Sequence, residues 1–233
     1  MTRPNRPPQP ELFDSADAPV GAGSDSSDSL QLDPGAWVLR TFALEQAPAL
    51  LQAIDRIAQI SPLRHMTTAR GLRMSVAMTN CGVAGWVSDQ RGYRYVAGDP
   101  LTEQPWPPMP DVFINLAACA AAKAGFDNFV PDVCLINRYD PGARLALHQD
   151  RDEADFDAPI VSVSLGLLAT FLWGDATRVV RPRRISLEHG DVVVWGGPAR
   201  LNFHGIDPLR VGHNALTGNV RFNLTFRRAL ARR

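Results

Sequence analysis

Residues 220–226 read Val-Arg-Phe-Asn-Leu-Thr-Phe, and this two-residue alternation constrains the fold more than any other stretch. Successive side chains of an extended chain leave opposite faces, so Arg221, Asn223, Thr225 and Arg227 share one face. Phe222, Leu224 and Phe226 share the other. Residues 160–165 (Ile-Val-Ser-Val-Ser-Leu) and 191–195 (Asp-Val-Val-Val-Trp) have the same short texture, and Gly, Pro and Asp separate them. Many short strands of this kind, preceded by helices, predict a mainly β chain with flanking helices. The expected core is a double-stranded β-helix, the jelly-roll arrangement of two antiparallel sheets, with N-terminal helices covering one face.

Two helices are expected. Over residues 43–60, Leu44, Ala47, Leu51, Ile54 and Ala58 recur at three-and-four spacing, with Leu50 and Ile57 beside them. A second begins at Asp111 after Pro110, carries Val112, Phe113, Leu116, Cys119 and Ala120, and stops at Gly125. Residues 1–35 are rich in Pro, Ser, Asp and Gly with few large apolar side chains, which cannot offset the entropy of ordering. They are expected to form a disordered tail, leaving residues 36–233 as one folded domain. Within the tail, residues 9–13 (Gln-Pro-Glu-Leu-Phe) resemble the Gln-x-x-Leu-Phe peptides that dock on bacterial sliding clamps.

The formal net charge of zero argues at first against a nucleic-acid partner. The average conceals an asymmetry: residues 1–35 carry a net −4, so the remainder carries +4. Arg178, Arg181, Arg183 and Arg184 crowd one segment, and Arg227, Arg228, Arg232 and Arg233 crowd the C-terminus. No apolar stretch is long enough to span a bilayer and the N-terminus lacks the apolar core of a secretory signal, which makes the cytoplasm the expected location. Cys81, Cys119 and Cys134 are odd in number and in no C-x-x-C pair, so neither a disulfide framework nor a thiolate zinc site is expected.

Chemistry concentrates at four places. His148 and Asp150 form an H-x-D pair able to present two ligands to one ion, and His204 follows 54 residues after Asp150, enough chain for several strands to return to the same end of the barrel. Two histidines and a carboxylate on one face of an octahedron suit iron(II) and oxygen activation. Arg221 and Arg227 on an interior strand face require anionic partners, and a dicarboxylate supplies both. The other reading is an edge strand whose arginines face water. Asn137 and Tyr139 also share a face and offer neutral donors to such an anion, or else satisfy backbone groups near the Pro141-Gly142 turn. His189 reads as structural, and His65 and His213 have no partner pattern.

In order and spacing, Asn137-x-Tyr139, His148-x-Asp150, His204 and Arg221-x-Asn223-x-x-x-Arg227 resemble the AlkB family of dioxygenases, with similarity running from residue 36 to residue 228. The resemblance implies iron(II) held by His148, Asp150 and His204, and 2-oxoglutarate held by Asn137, Tyr139, Arg221, Asn223 and Arg227, with oxygen as the second cosubstrate. It implies a nucleotide-recognition lid at residues 66–100, in which Trp86 stacks on the target base and Tyr93 and Tyr95 contact the nucleotide backbone, while Asp152 and Arg178 lie near the base. An aromatic face beside a carboxylate selects a base made cationic by methylation on a ring nitrogen, whatever the family. The implied reaction removes methyl groups from N1-methyladenine and N3-methylcytosine in single-stranded or base-flipped DNA, releasing formaldehyde, succinate and carbon dioxide, and a monomer is expected. Alternatives are the same chemistry on RNA or tRNA, on a protein or a small molecule, or a barrel that binds nucleic acid without catalysis. Three residues depart from the pattern: Asp140 beside the cosubstrate loop, Asn202 beside the distal histidine, and Arg73 in the lid.

Overall fold

The computed structural model describes residues 28–230, so residues 9–13 of the clamp-like peptide and Arg232 and Arg233 lie outside the described residues. The chain builds two facing antiparallel sheets and a separate ribbon. In the larger sheet the order is β1 (Ser29–Asp33), β2 (Ala36–Leu39), β12 (Val192–Trp195), β9 (Ile160–Gly166), β14 (Arg221–Arg227), β7 (Val133–Tyr139), β4 (Arg73–Gly82) and β3 (Arg64–Thr67). The smaller sheet runs β11 (Arg183–Leu187), β10 (Ala169–Trp173), β13 (His204–Ile206) and β8 (Leu145–His148). The ribbon is β5 (Gly85–Asp89) with β6 (Gly92–Val96). This is the expected double-sheet barrel.

The alternation of β14 and β9 is what gives the barrel two different faces. Phe222, Leu224 and Phe226 of β14 and Val161, Val163 and Leu165 of β9 join the apolar layer under the helices α1 (Ala47–Ile60) and α2 (Asp111–Lys123). Phe113 of α2 meets Phe226 edge to face, with ring centroids 5.6 Å apart. Arg221, Asn223, Thr225 and Arg227, with Ser162 between the valines of β9, face inward to the space between the sheets. A second apolar layer fills the rest of that interior, including Met78, Phe171, Trp173, Trp195 and Ile206.

Two boundaries differ from expectation. α1 begins at Ala47, not residue 43, because Pro48 can occupy only the first turn of a helix: further in, its ring would clash with the preceding turn. Residues 29–33, expected in a disordered tail, form β1, which pairs with β2 from Ser29 opposite Leu39 to Asp33 opposite Ala36. The preformed edge of β2 supplies the hydrogen bonds, so one buried side chain, Leu32, suffices to anchor a segment of low hydrophobicity. Asp33 accepts the Trp173 indole N–H at 2.6 Å and an Arg183 N–H at 3.0 Å, fastening the N-terminal strand to the smaller sheet. Among the described residues no helix is long and apolar enough to cross a membrane.

Candidate active site

Three ligand atoms converge where β8 and β13 pair. His204 lies directly opposite His148 in register, and their ring centroids are 4.4 Å apart. Asp150 arrives from the loop just past the end of β8, not by strand alternation as the H-x-D spacing suggested. Its Oδ1 lies 3.7 Å from His148 Nε2 and its Oδ2 3.8 Å from His204 Nε2. All three ligand atoms fall within 4.8 Å of one another, close enough to share one ion.

Both histidines are held in the tautomer that an ion requires. His148 Nδ1 donates to the Ala146 carbonyl at 2.9 Å and His204 Nδ1 to the Asn202 carbonyl at 3.0 Å, which leaves each Nε2 lone pair for a metal. Burial, followed by the neighbouring His148, pushes the His204 imidazole down to a pKa of about 3, so it is neutral at physiological pH. Burial opposes ionisation of Asp150, but Arg227 and the two histidines outweigh it and hold the carboxyl well below the usual carboxylate range. Two imidazole nitrogens and an anionic carboxylate form a donor set for a divalent ion such as iron(II), with positions left over for cosubstrates.

The cluster lines a cavity of about 620 Å³ between the sheets, whose wall includes Asn137, Tyr139, Arg221, Asn223 and Arg227. The two arginines stand in different states. Arg227 donates from Nε and Nη2 to Asp150 Oδ2 at 3.0 and 2.8 Å, so its charge is already balanced by a metal ligand. Among the described residues Arg221, 1% exposed, meets no carboxylate: Nη2 reaches the Ser164 hydroxyl at 3.0 Å, the guanidinium stands 5.0 Å from the Tyr139 ring centroid, and Nε and Nη1 have no hydrogen-bond partner there. An uncompensated buried guanidinium costs several kcal/mol, and an entering carboxylate removes that cost. The unpartnered Arg227 Nη1 belongs to a residue that lines the same space, so with Arg221 the wall fits an anionic cosubstrate such as 2-oxoglutarate. Asp140 adds no charge there, because it pairs with Arg138 at 3.0 Å and both are partly exposed.

At the cavity mouth, Trp86 of β5 and Tyr93 of β6 stack with centroids 5.3 Å apart and planes 26° from parallel. The Trp86 indole N–H donates to Asp152 Oδ2 at 2.9 Å. These three line the cavity with Arg73, which is exposed at its rim. Of the 66–100 stretch, β3 and β4 belong to the large sheet and only β5 and β6 form a separate ribbon over the site.

Two expected site residues do not line this cavity. Tyr95 is one strand repeat, about 7 Å, beyond Tyr93 and is carried past the mouth. Its hydroxyl donates to Glu153 Oε1 at 2.7 Å and its ring packs near Ala84, Val133 and Ala229. Arg178 is exposed on the loop after β10, at a φ of 63°, with its guanidinium 5.5 Å from the Phe203 ring centroid. The basic segment around it is partly neutralised: Arg183 pairs with Asp33 and Arg184 with Asp207. Arg227, expected in a surface cluster as well as in the site, is buried.

Sequence reasoning missed Glu153 and Arg200, both buried. Arg200 donates to the Asp150 carbonyl at 3.0 Å, the Ala158 carbonyl at 3.2 Å and Glu153 Oε2 at 3.2 Å, holding the loop that carries the metal carboxylate. The available signal was Glu153 itself, a third acid placed next to Asp150 and Asp152. Asn202, noted as a departure, lends its carbonyl to His204 while its amide reaches toward Asp33 Oδ2 at 3.4 Å.

Comparison with known proteins agrees with this geometry. The family model of the 2OG-Fe(II) oxygenase superfamily matches residues 35–227. The alpha-ketoglutarate-dependent dioxygenase AlkB of Salmonella typhimurium (strain LT2) is 56% identical over 198 residues, 85% of this chain and 92% of that protein. Its namesake in Escherichia coli (strain K12) is 55% identical over the same shares. The solved structure of OsALKBH1 superposes with a TM-score of 0.73 at 29% identity, covering 85% of this chain and 99% of that one. The His-Asp-His cluster inside the barrel and the similarity to these proteins point the same way: this chain belongs to the AlkB family of the 2OG-Fe(II) oxygenase superfamily and is an iron(II)- and 2-oxoglutarate-dependent dioxygenase.

Proposed function

We propose that this chain demethylates N-alkylated bases in DNA, with N1-methyladenine and N3-methylcytosine as substrates, acting as a monomer in the cytoplasm. One observation carries the reading: the Trp86 ring and the Asp152 carboxylate stand together at the mouth of the cavity that holds His148, Asp150 and His204. A flat aromatic face with an adjacent anion suits a planar cation, and methylation at N1 of adenine or N3 of cytosine makes the base such a cation. The bacterial relatives are named alpha-ketoglutarate-dependent dioxygenases, which supports the oxidative part of this reading.

Iron(II) with 2-oxoglutarate and oxygen supplies hydroxylation of the N-methyl carbon, after which the hydroxymethyl group leaves as formaldehyde. The chain's own groups bind and orient. Arg221 offers its free Nε and Nη1 to one carboxylate of the cosubstrate, with Asn137, Tyr139 and Asn223 beside it. Trp86 offers its face to the base, and Asp152 stabilises positive charge on the ring. Met78, Leu135, Phe171 and Trp195 line the cavity with apolar surface and limit water around the reacting carbon. An extruded base must enter for its methyl group to reach this depth, which favours single strands or flipped nucleotides.

Anaerobic reconstitution with iron(II), followed by exposure to oxygen and 2-oxoglutarate and mass spectrometry of methylated oligonucleotides, tests the proposal. Loss of about 14 mass units from methylated DNA, the N-methyl group giving way to hydrogen, with matching formaldehyde supports it. Loss from RNA alone would move the substrate to RNA, and the absence of any iron-dependent succinate release would leave only nucleic-acid binding.

A further inference from the structure

Beside the metal cluster the chain buries two carboxylates with two guanidinium groups: Asp150 and Glu153 with Arg200 and Arg227. Glu153, Arg200 and Tyr95 do not line the cavity. The two oxygens of Glu153 have different partners. Oε2 accepts from Arg200 at 3.2 Å, whereas Oε1 accepts from the Tyr95 hydroxyl at 2.7 Å and lies 3.3 Å from Arg227 Nε. That same Nε donates to Asp150 Oδ2 at 3.0 Å. One positive charge, on Arg227, is thus shared between the metal carboxylate and Glu153.

The ribbon is fastened to this system at two adjoining points. Trp86 and Tyr95 are direct cross-strand partners, and each donates to one of two consecutive acids, Trp86 to Asp152 and Tyr95 to Glu153. The Asp152 link lies at the cavity mouth, while the Glu153 link reaches the charge balance behind the metal ligand.

We propose that Glu153 is a positioning residue of the metal centre: it draws Arg227 partly away from Asp150, and Tyr95 of the ribbon governs how far. A divalent ion is attracted by the negative charge that Asp150 leaves uncompensated, so the sharing of Arg227 sets the ion's affinity. Removing the charge of Glu153 gives Arg227 wholly to Asp150 and takes one negative charge from the surroundings. Both effects weaken cation binding. Removing the Tyr95 hydroxyl leaves every charge in place but makes Arg227 the nearer donor to Oε1, which relieves Asp150 and strengthens cation binding.

The test is titration of the full chain with Mn(II), followed by the paramagnetic resonance signal of the free ion and independent of turnover. The expected result is a dissociation constant raised at least about tenfold in Glu153→Gln and lowered about two- to fivefold in Tyr95→Phe. A merely structural contribution of the network would weaken binding in both variants. Weakening in both, or a change of less than about twofold in Glu153→Gln, overturns the proposal. If Glu153→Gln fails to fold by circular dichroism, Tyr95→Phe decides alone, and anything other than tighter binding overturns it. Mn(II) binding by the unaltered chain separates this question from whether the site takes a divalent metal at all.

Discussion

Arg227 donates two hydrogen bonds to Asp150 Oδ2, at 3.0 and 2.8 Å, so a metal ligand and an expected cosubstrate ligand are each other's counter-ion. The pair is buried, and burying either charge alone is unfavourable. Arg227→Ala leaves the buried Asp150 carboxylate without its guanidinium partner, while Glu153 keeps Arg200. We expect it to lower the unfolding free energy by about 3–5 kcal/mol, as for a broken buried ion pair. Mn(II) should stabilise this variant more than it stabilises the unaltered protein, since the ion replaces the missing positive charge. Urea unfolding with and without Mn(II) measures both quantities, and an equal metal increment in the two proteins would refute the argument.

Arg221 predicts the reverse pattern. Its charge meets no carboxylate among the described residues, so Arg221→Met removes a cost as well as a binding group. The expected loss of 2-oxoglutarate affinity is about 2–4 kcal/mol, or roughly 30- to 1,000-fold, because the cosubstrate carboxylate loses a desolvated charge partner. Stability of the metal-free protein should hold or rise, and Mn(II) affinity should be unchanged. Calorimetric titration of 2-oxoglutarate onto the Mn(II)-loaded protein, paired with thermal unfolding of the metal-free form, checks these outcomes. A destabilised protein with unaltered cosubstrate affinity would remove Arg221 from the anion site.

The legible parts of the sequence were those in which local periodicity and tertiary role coincide. The alternation of β14 assigned Arg221, Asn223, Thr225 and Arg227 to one face, and all four line the cavity while Leu224 and Phe226 lie under the helices. His148 and His204 were legible as ligands through the H-x-D spacing and the resemblance to the AlkB family. What the pattern could not disclose was pairing across the fold. Equivalent positions on one strand left Arg221 and Arg227 indistinguishable, although one meets Asp150 and the other meets none. Tyr93 and Tyr95 share a strand face, yet the loop after Asp150 reaches only the second. Residues 29–33 looked too polar to order, because composition does not reveal an open sheet edge waiting for a partner.

Trp86 donates to Asp152 at the cavity mouth and neither touches the metal cluster, so their replacement should separate capture from chemistry. Trp86→Ala and Asp152→Ala are expected to weaken binding of a methylated oligonucleotide by about 1–3 kcal/mol, in the range of base stacking on an aromatic ring. Succinate formation in the absence of substrate should change far less, because neither side chain is a ligand of the metal cluster. Fluorescence anisotropy of a labelled N3-methylcytosine oligonucleotide, alongside succinate release without DNA, tells the two apart. A parallel fall in both would mean that these residues support the metal site instead of the base.

The last prediction concerns acid. The His204 imidazole is pushed down to about 3 in the folded protein by burial and by His148, whereas an unfolded histidine titrates near 6.5. Between those values the unfolded chain binds a proton at this position that the folded chain excludes, so stability must rise with pH across the window. The contribution of His204 is therefore complete above pH 6.5 and is lost progressively as the pH falls toward 3, with a slope approaching about 1.4 kcal/mol per pH unit. Burial also lowers the pKa of His189, whose Nδ1 accepts the Gly166 N–H, so it adds in the same direction. Asp150 is depressed too, but against an ordinary value of 3.8 its loss of stability comes in a lower window. Urea unfolding of the metal-free protein at pH 7.5, 6.0 and 5.0 (about 1 to 1.5 units apart) resolves the slope. His204→Gln should flatten it relative to the unaltered chain, and His189→Asn provides the control for the second histidine. If His204→Gln keeps the full slope while His189→Asn removes it, the acid sensitivity belongs to the structural histidine and His204 is not held neutral by burial.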